Sequence, residues 1–199
     1  MKCSEFNIVI SGIGGQGVIS LANVIEEAAL IDGYEVMGSE LHGLAMRFGP
    51  LECHVRFGKN IYSPLVSRGE ADLIFSLELL ESLRVAHFAN KNTKFFINEN
   101  QIKPTSVYFG KYEYPTIEEV KRKLMKISDH LFFVDASKKV KNFGEVYSNI
   151  YLLGFSRDYL PLSENAILNS IKKLPNFEVN KIVYELGKKD KKDRENESK

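Results

Sequence analysis

Asn7-Ile8-Val9-Ile10-Ser11-Gly12-Ile13-Gly14-Gly15-Gln16-Gly17, running on into Val18-Ile19-Ser20-Leu21-Ala22-Asn23-Val24-Ile25, is the stretch that decides the fold class. An apolar run enters, Gly12, Gly14 and Gly17 fall in G-x-G-x-x-G register, and the residues that leave have helical character: a strand, a tight turn and a helix N-terminus. Four glycines in six residues, Gly12, Gly14, Gly15 and Gly17, let the backbone take positive φ and lie close to whatever sits above it. The free N–H groups and positive dipole end of the helix then favour an anion, by about 0.3–1 kcal/mol per charge. The turn is thus a candidate cradle for a phosphate or carboxylate; the plainer alternative is that its glycines only pack helix against strand. Glu40 stands near the place where a dinucleotide-binding fold puts the acid that holds a ribose hydroxyl.

Working outward, Asp32-Gly33 ends the first helix and Tyr34-Glu35-Val36-Met37 reads as a second strand, which completes a right-handed βαβ unit. Three glycines and a proline between Gly38 and Pro50 argue against a long helix there. Leu51 to Phe57 alternates apolar and polar residues, the mark of a half-exposed strand, and Gly58-Lys59-Asn60 is expected to turn it into Ile61-Tyr62-Ser63 as an antiparallel hairpin. The outward set Glu52, His54 and Arg56 then reads as a salt-bridged solvent or interface face. Strands are expected at 71–77, 94–98 and 131–135, a short one near 107–109, and helices at 78–89, from the Thr116 capping box to about 127, and from Ser163. Val179, Ile182, Val183 and Leu186 share the face of a last amphipathic segment. Phe95-Phe96 and Phe132-Phe133 read as core aromatics, and His87 and His130 as structural. The expected architecture is one α/β domain over residues 1–187, three layers α/β/α with a mainly parallel sheet carrying one antiparallel hairpin, followed by a charged, disordered tail at 188–199.

The 199 residues hold two cysteines, Cys3 and Cys53, too few for a structural zinc or an iron–sulfur cluster and in keeping with a reducing, cytoplasmic setting. No metal site is expected. Twenty-seven basic against 26 acidic residues give no electrostatic reason to expect nucleic acid, and no apolar run reaches the ~20 residues of a membrane span.

Gly12-Ile-Gly-Gly-Gln-Gly17, Ser39-Glu-Leu-His-Gly-Leu-Ala-Met-Arg47, His54-Val-Arg-Phe-Gly58 and Tyr62-Ser-Pro64, in this order and spacing, resemble the gamma-type subunits of 2-oxoacid:ferredoxin oxidoreductases, and most of all the beta subunits of indolepyruvate ferredoxin oxidoreductase. The resemblance runs through Tyr114-Pro115 and Asn149…Leu153-Gly154 to about residue 187. It implies a fold like domain III of the pyruvate enzymes. It also implies a role in oxidative decarboxylation of an aryl 2-oxoacid to the acyl-coenzyme A, with electrons passed to ferredoxin. Thiamine diphosphate and [4Fe-4S] clusters are then expected on a large alpha-type partner, coenzyme A is a co-substrate, and this chain is inactive alone.

Within that resemblance Gln16, with the N–H groups of Gly14–Gly17, is a candidate for the coenzyme A pyrophosphate or a carboxylate. His42 and Arg47 are candidates beside the catalytic centre, Arg47 because its planar fork suits a carboxylate or phosphate. The family loop usually reads His-Gly-Met-(Ala/Ser)-Gln-Arg-Gly-Gly-Ser, where this chain has Met46, Phe48 and Pro50 in place of an amide, a glycine and a serine. Two rival readings stand beside this one: a free-standing NAD- or FAD-binding protein with Glu40 on the ribose, and a non-catalytic assembly subunit.

Overall fold

Ile8, Val9 and Ile10 are all fully buried, and since neighbouring side chains on a strand point to opposite faces, the first strand must be covered on both sides. In the computed structural model, which describes residues 3–43, 49–110 and 113–197, this strand, β1 (Glu5–Ile13), lies inside a six-stranded sheet. After it come α1 (Val18–Ile31), β2 (Glu35–His42), β3 (Pro50–Gly58), β4 (Leu73–Ser76), α2 (Glu81–Arg84), β5 (Lys94–Asn98), α3 (Thr105–Tyr108) and α4 (Ile117–Leu124). β6 (Leu131–Val134), α5 (Ala136–Lys139), α6 (Ser148–Phe155), α7 (Glu164–Ile171) and α8 (Phe177–Glu197) complete the chain.

The strand order is β2-β3-β1-β4-β5-β6, with β3 antiparallel to both neighbours and β1, β4, β5 and β6 parallel. Ile8, Ile10, Phe75 and Phe96 pack with α1, α6, α7 and α8 on one face. Val9, Ile74, Phe95 and Ile97 pack with α2 and α4 on the other, so the three-layer α/β/α architecture follows from the period-2 alternation of these strands. The Thr116–Glu119 capping box and the Ser163 side-chain cap start α4 and α7 as the sequence predicts.

The antiparallel hairpin is made elsewhere than expected. β2 pairs with β3 from Glu35↔Gly58 to His42↔Leu51, so the hairpin connection is the segment 43–49 and not the turn at Gly58-Lys59-Asn60. Residues 61–63 form no strand, because side chains already hold the backbone groups a strand would offer. Arg56 Nη1 donates to the carbonyls of Ser63 (2.8 Å) and Leu65 (3.2 Å), and Val66 N–H donates to His54 Nδ1 at 3.0 Å. That strap also buries His54 to 1% exposure, so the Glu52–His54–Arg56 row is a covered face rather than a solvent or interface face. With Nδ1 accepting, Nε2 carries the hydrogen and donates to Glu52 Oε1 at 2.8 Å.

Two local expectations also change. Residues 78–89 form only the single turn of α2 and a 3-10 turn at Ala86–Phe88. The expected strand at 107–109 is the helical turn α3, which starts after Pro104 and ends at Gly110 in the left-handed region (φ 67°).

The charged tail carries the end of a helix: α8 continues through Glu197. Its charges are anchored. Asp190 accepts from Tyr151 Oη (2.6 Å) and Lys139 Nζ (2.7 Å), Lys191 is buried with Nζ 4.7 Å from the Phe132 ring centre, and Arg194 donates to Phe133 O at 2.9 Å. Lysine and arginine stems cover apolar surface here, which composition alone misreads as a solvated run. α8 can lie against α6 only because both carry glycine at the crossing. A Cβ on Gly154 would sit 2.0 Å from Tyr184 O, and one on Gly187 2.2 Å from Tyr151 O. Gly154→Ala is therefore expected to push the helices apart and lower stability by about 1–3 kcal/mol. Equilibrium denaturant unfolding checks this, and an unchanged midpoint contradicts the close crossing.

Candidate functional site

In an open α/β sheet, ligands sit where neighbouring parallel strands send their connections to opposite faces. Here that point lies at the carboxyl ends of β1 and β4, since β1 leads into α1 on one face and β4 into α2 on the other. Side-chain amides tie the loops of this rim together. Gln16 Oε1 accepts from Ile13 N–H at 2.7 Å while its Nε2 donates to Leu77 O at 3.0 Å, which joins the turn after β1 to the end of β4. Asn98, at the end of β5, donates to the same Leu77 carbonyl (3.3 Å) and accepts from Ala136 N–H (3.0 Å) after β6. Asn149 of α6 donates to Gly17 O at 3.0 Å, and its Nδ2 lies 2.4 Å from where a Gly17 Cβ would be.

This geometry divides the glycine turn into framework and free donors. The Gln16 amide holds β1 to β4 through these two bonds. Gly12 faces Val18 and Leu77 too closely for a side chain, and Gly14 N–H donates to Gly49 O at 2.9 Å. The N–H groups of Gly15, Gly17 and Val18 make no hydrogen bond to any described residue, and Gly15 (φ 106°) has open space where its Cβ would be. Gly17 (φ 80°) is the N-cap of α1, which has no side-chain cap. The anion-binding capacity of this turn therefore rests on Gly15, Gly17 and the first turn of α1.

Beside it, between the ends of β2, β3 and β1 and the start of α2, opens a cleft of about 310 Å³. Leu41, Pro50, Leu51 and Val85 give it apolar walls, and Ser11, Glu52, Glu81 and Arg84 its polar groups. Glu81 is buried at 4% exposure, with Oε1 2.9 Å from Arg84 Nε. Burial, opposed by the Arg84 guanidinium and aided by the nearby Glu78 charge, pushes its carboxyl up to about 7. Glu78 is itself satisfied by Tyr114 Oη and by Ile102 N–H at 3.0 Å. Ser11 Oγ and Ser76 Oγ bond each other at 2.9 Å. Glu81 and Arg84 carry no motif. Their only signal in the sequence is position, a carboxylate and a guanidinium just past the end of an apolar strand.

His42 closes β2 opposite Leu51, and its side chain lies outside the described residues, as do Arg47, Met46 and Phe48 entirely. Glu40 is on β2, separated from β1 by antiparallel β3, which removes the ribose clamp of the dinucleotide reading. Cys3 is half-buried; Cys53 lies buried in β3, where burial and then Glu40, Glu26 and Glu52 push its thiol up to about 12. Among the described residues no group of three His, Cys, Asp or Glu is placed to hold a metal ion. Among the same residues no helix is long and apolar enough to cross a membrane.

Residues 7–188 match the family model described as pyruvate ferredoxin/flavodoxin oxidoreductase. The chain is 38% identical over 192 residues, 93% of this chain and 95% of its relative, to indolepyruvate oxidoreductase subunit IorB of Thermococcus kodakarensis. Among solved structures, the gamma subunit of keto/oxoacid ferredoxin oxidoreductase from Geobacter sulfurreducens superposes with a TM-score of 0.65 at 20% identity, over 94% of this chain and 98% of that one. The 2-oxoglutarate:ferredoxin oxidoreductase of Magnetococcus marinus, solved with 2-oxoglutarate, coenzyme A and succinyl-CoA bound, does so with a TM-score of 0.70 at 17% identity, over 96% of this chain and 32% of that one.

A carboxyl that titrates higher in the folded chain than in the unfolded one binds its proton more tightly when native, so Glu81 costs stability progressively as pH rises from about 4.5 through 7. Glu81→Gln, which keeps the shape and cannot ionise, is expected to gain on the wild type by on the order of 2 kcal/mol between pH 5 and pH 8. Parallel thermal melts at the two pH values measure this; parallel pH profiles for the two proteins contradict it.

Proposed function

The chain belongs to the pyruvate ferredoxin/flavodoxin oxidoreductase family, and from that membership we propose that it is the gamma-type subunit of an indolepyruvate (aryl 2-oxoacid) ferredoxin oxidoreductase. The observation that carries this reading is a match along 93% of this chain and 95% of its relative to an indolepyruvate oxidoreductase subunit. In the proposed complex, thiamine diphosphate and iron–sulfur clusters on the partner polypeptide supply decarboxylation and the electron path to ferredoxin, and coenzyme A receives the acyl group. This chain closes the pocket. The free N–H groups of Gly15, Gly17 and Val18 face an anion at the carboxyl rim, either the pyrophosphate of coenzyme A or a carboxylate, held in place by the Gln16 and Asn149 clasps. Coenzyme A bound to the Magnetococcus marinus enzyme supports the first choice.

His42 and Arg47 are the further site residues of this reading, Arg47 as the fixed cation for a carboxylate, a phosphate or an acidic residue of the partner. With two cysteines and no cluster-binding set, the isolated chain is inactive and works in a reducing cytoplasm.

Co-expression with the large thiamine-dependent subunit is expected to give a stable complex that reduces a viologen dye with an aryl pyruvate and coenzyme A. A partner equally active without this chain refutes the reading and leaves an assembly role at most. In the same complex, Arg47→Ala is expected to raise KM for coenzyme A or lower turnover roughly tenfold with an unchanged melting temperature, the loss typical of one charge-assisted contact. Wild-type kinetics remove Arg47 from the pocket.

A further inference from the structure

The cleft beside the glycine turn has the opposite chemistry to the turn itself. Its polar groups are acceptors: the carboxylates of Glu81 and Glu52, paired through Oε1 with Arg84 Nε and His54 Nε2, while the hydroxyl of Ser11 is shared with Ser76. An anion is repelled here by Glu52 and Glu81, with Glu78 behind them. The walls are apolar, and at about 310 Å³ the space is at the lower limit of small-molecule pockets, roughly 300 Å³. Among the described residues that line the cleft the cation is Arg84, whose Nε lies 2.9 Å from Glu81 Oε1 and whose side chain is exposed at the mouth. Acceptor within, apolar walls and a guanidinium fork at the rim select a ligand with an apolar body, a donor on its far edge and an acid group at its near end.

We infer that this cleft is a subsite for a flat aromatic group carrying an N–H or O–H on its edge, an indole ring being one such group, with Glu81 accepting the edge hydrogen. The inference rests on the function proposed above for the identity of the aromatic group, and adds to it the place where this subunit reads that group. The aromatic end enters between Leu51 and Val85, and the 2-oxoacid end stays at the mouth by Arg84, on the rim that also carries the glycine turn. A site built to take a hydrogen bond rejects the analogue lacking it, because its buried acceptor is left unpaired.

The test compares indolepyruvate with its N-methylated analogue in the co-expressed complex. The wild type is expected to prefer the N–H substrate by roughly tenfold in kcat/KM, Glu81→Leu to lose the preference, and Glu81→Gln, which keeps an acceptor oxygen, to retain it. A second arm titrates the full chain with indole and N-methylindole. The chain has no tryptophan, so fluorescence excited beyond tyrosine absorption reports the ligand alone, and indole is expected to bind more tightly. An active complex with no N–H preference overturns the subsite and leaves the function standing, and so does a preference that survives Glu81→Leu. A complex inert toward every aryl pyruvate, beside a chain that still tells indole from N-methylindole, overturns the function and leaves the subsite. Should the leucine variant fail to fold, the wild-type comparison of the two ligands decides by itself.

Discussion

The Leu77 carbonyl, held at once by the amides of Gln16 and Asn98, is the contact on which the carboxyl rim depends. One oxygen at the end of β4 accepts from the turn after β1 and from the last residue of β5, and Asn98 in turn receives the N–H of Ala136 beyond β6. Four strand ends that the sheet ladder no longer pairs are thereby joined through side chains, and every buried polar side-chain atom among the described residues finds a partner. A rim bound in this way is preorganised: the free N–H groups of Gly15 and Gly17 are fixed without a ligand to order them. Preorganisation of this kind is what a chain needs if it is to present half of a pocket to a separate polypeptide, since ordering at the moment of assembly would be subtracted from affinity.

Much of this was legible in the sequence, and the exceptions have a common cause. The G-x-G-x-x-G turn, the strands at 73–76, 94–98 and 131–134, and the caps at Thr116 and Ser163 depend on local pattern and were readable from it. What local pattern does not contain is which strand lies beside which. Leu51–Phe57 alternates like an edge strand facing water, yet it is paired with both β1 and β2, and residues 61–66 fold back over its polar face, where Arg56 and His54 hold them. The tail shows the same limit. Its charges read as solvated until Phe132, Phe155 and Tyr159 are seen to form the surface on which Lys191 and Arg194 lie. Gln16 was legible as important, but an amide in a glycine turn serves a ligand or the framework equally well, and its framework bond shows only once Leu77 is placed beside it.

The insertion of β3 between β1 and β2 also accounts for why a dinucleotide-like fingerprint stands here without the rest of that fold's machinery. In the dinucleotide fold the acid at the end of the second strand reaches the ribose because that strand is the immediate neighbour of the first. An added strand moves β2 out by a further ~5 Å spacing. Glu40 goes with it, and faces Glu26 of α1 closely enough to raise that carboxyl above its usual range, after burial. The ribose clamp is lost, and in its place the hairpin's own ends, Leu41, Pro50 and Leu51, become walls of a new cleft against α2. One change of topology thus converts the region beside the glycine turn from a polar nucleotide groove into an apolar recess with a buried carboxylate. The backbone N–H groups of Gly15 and Gly17 are left as they were, since the inserted strand makes no bond to them.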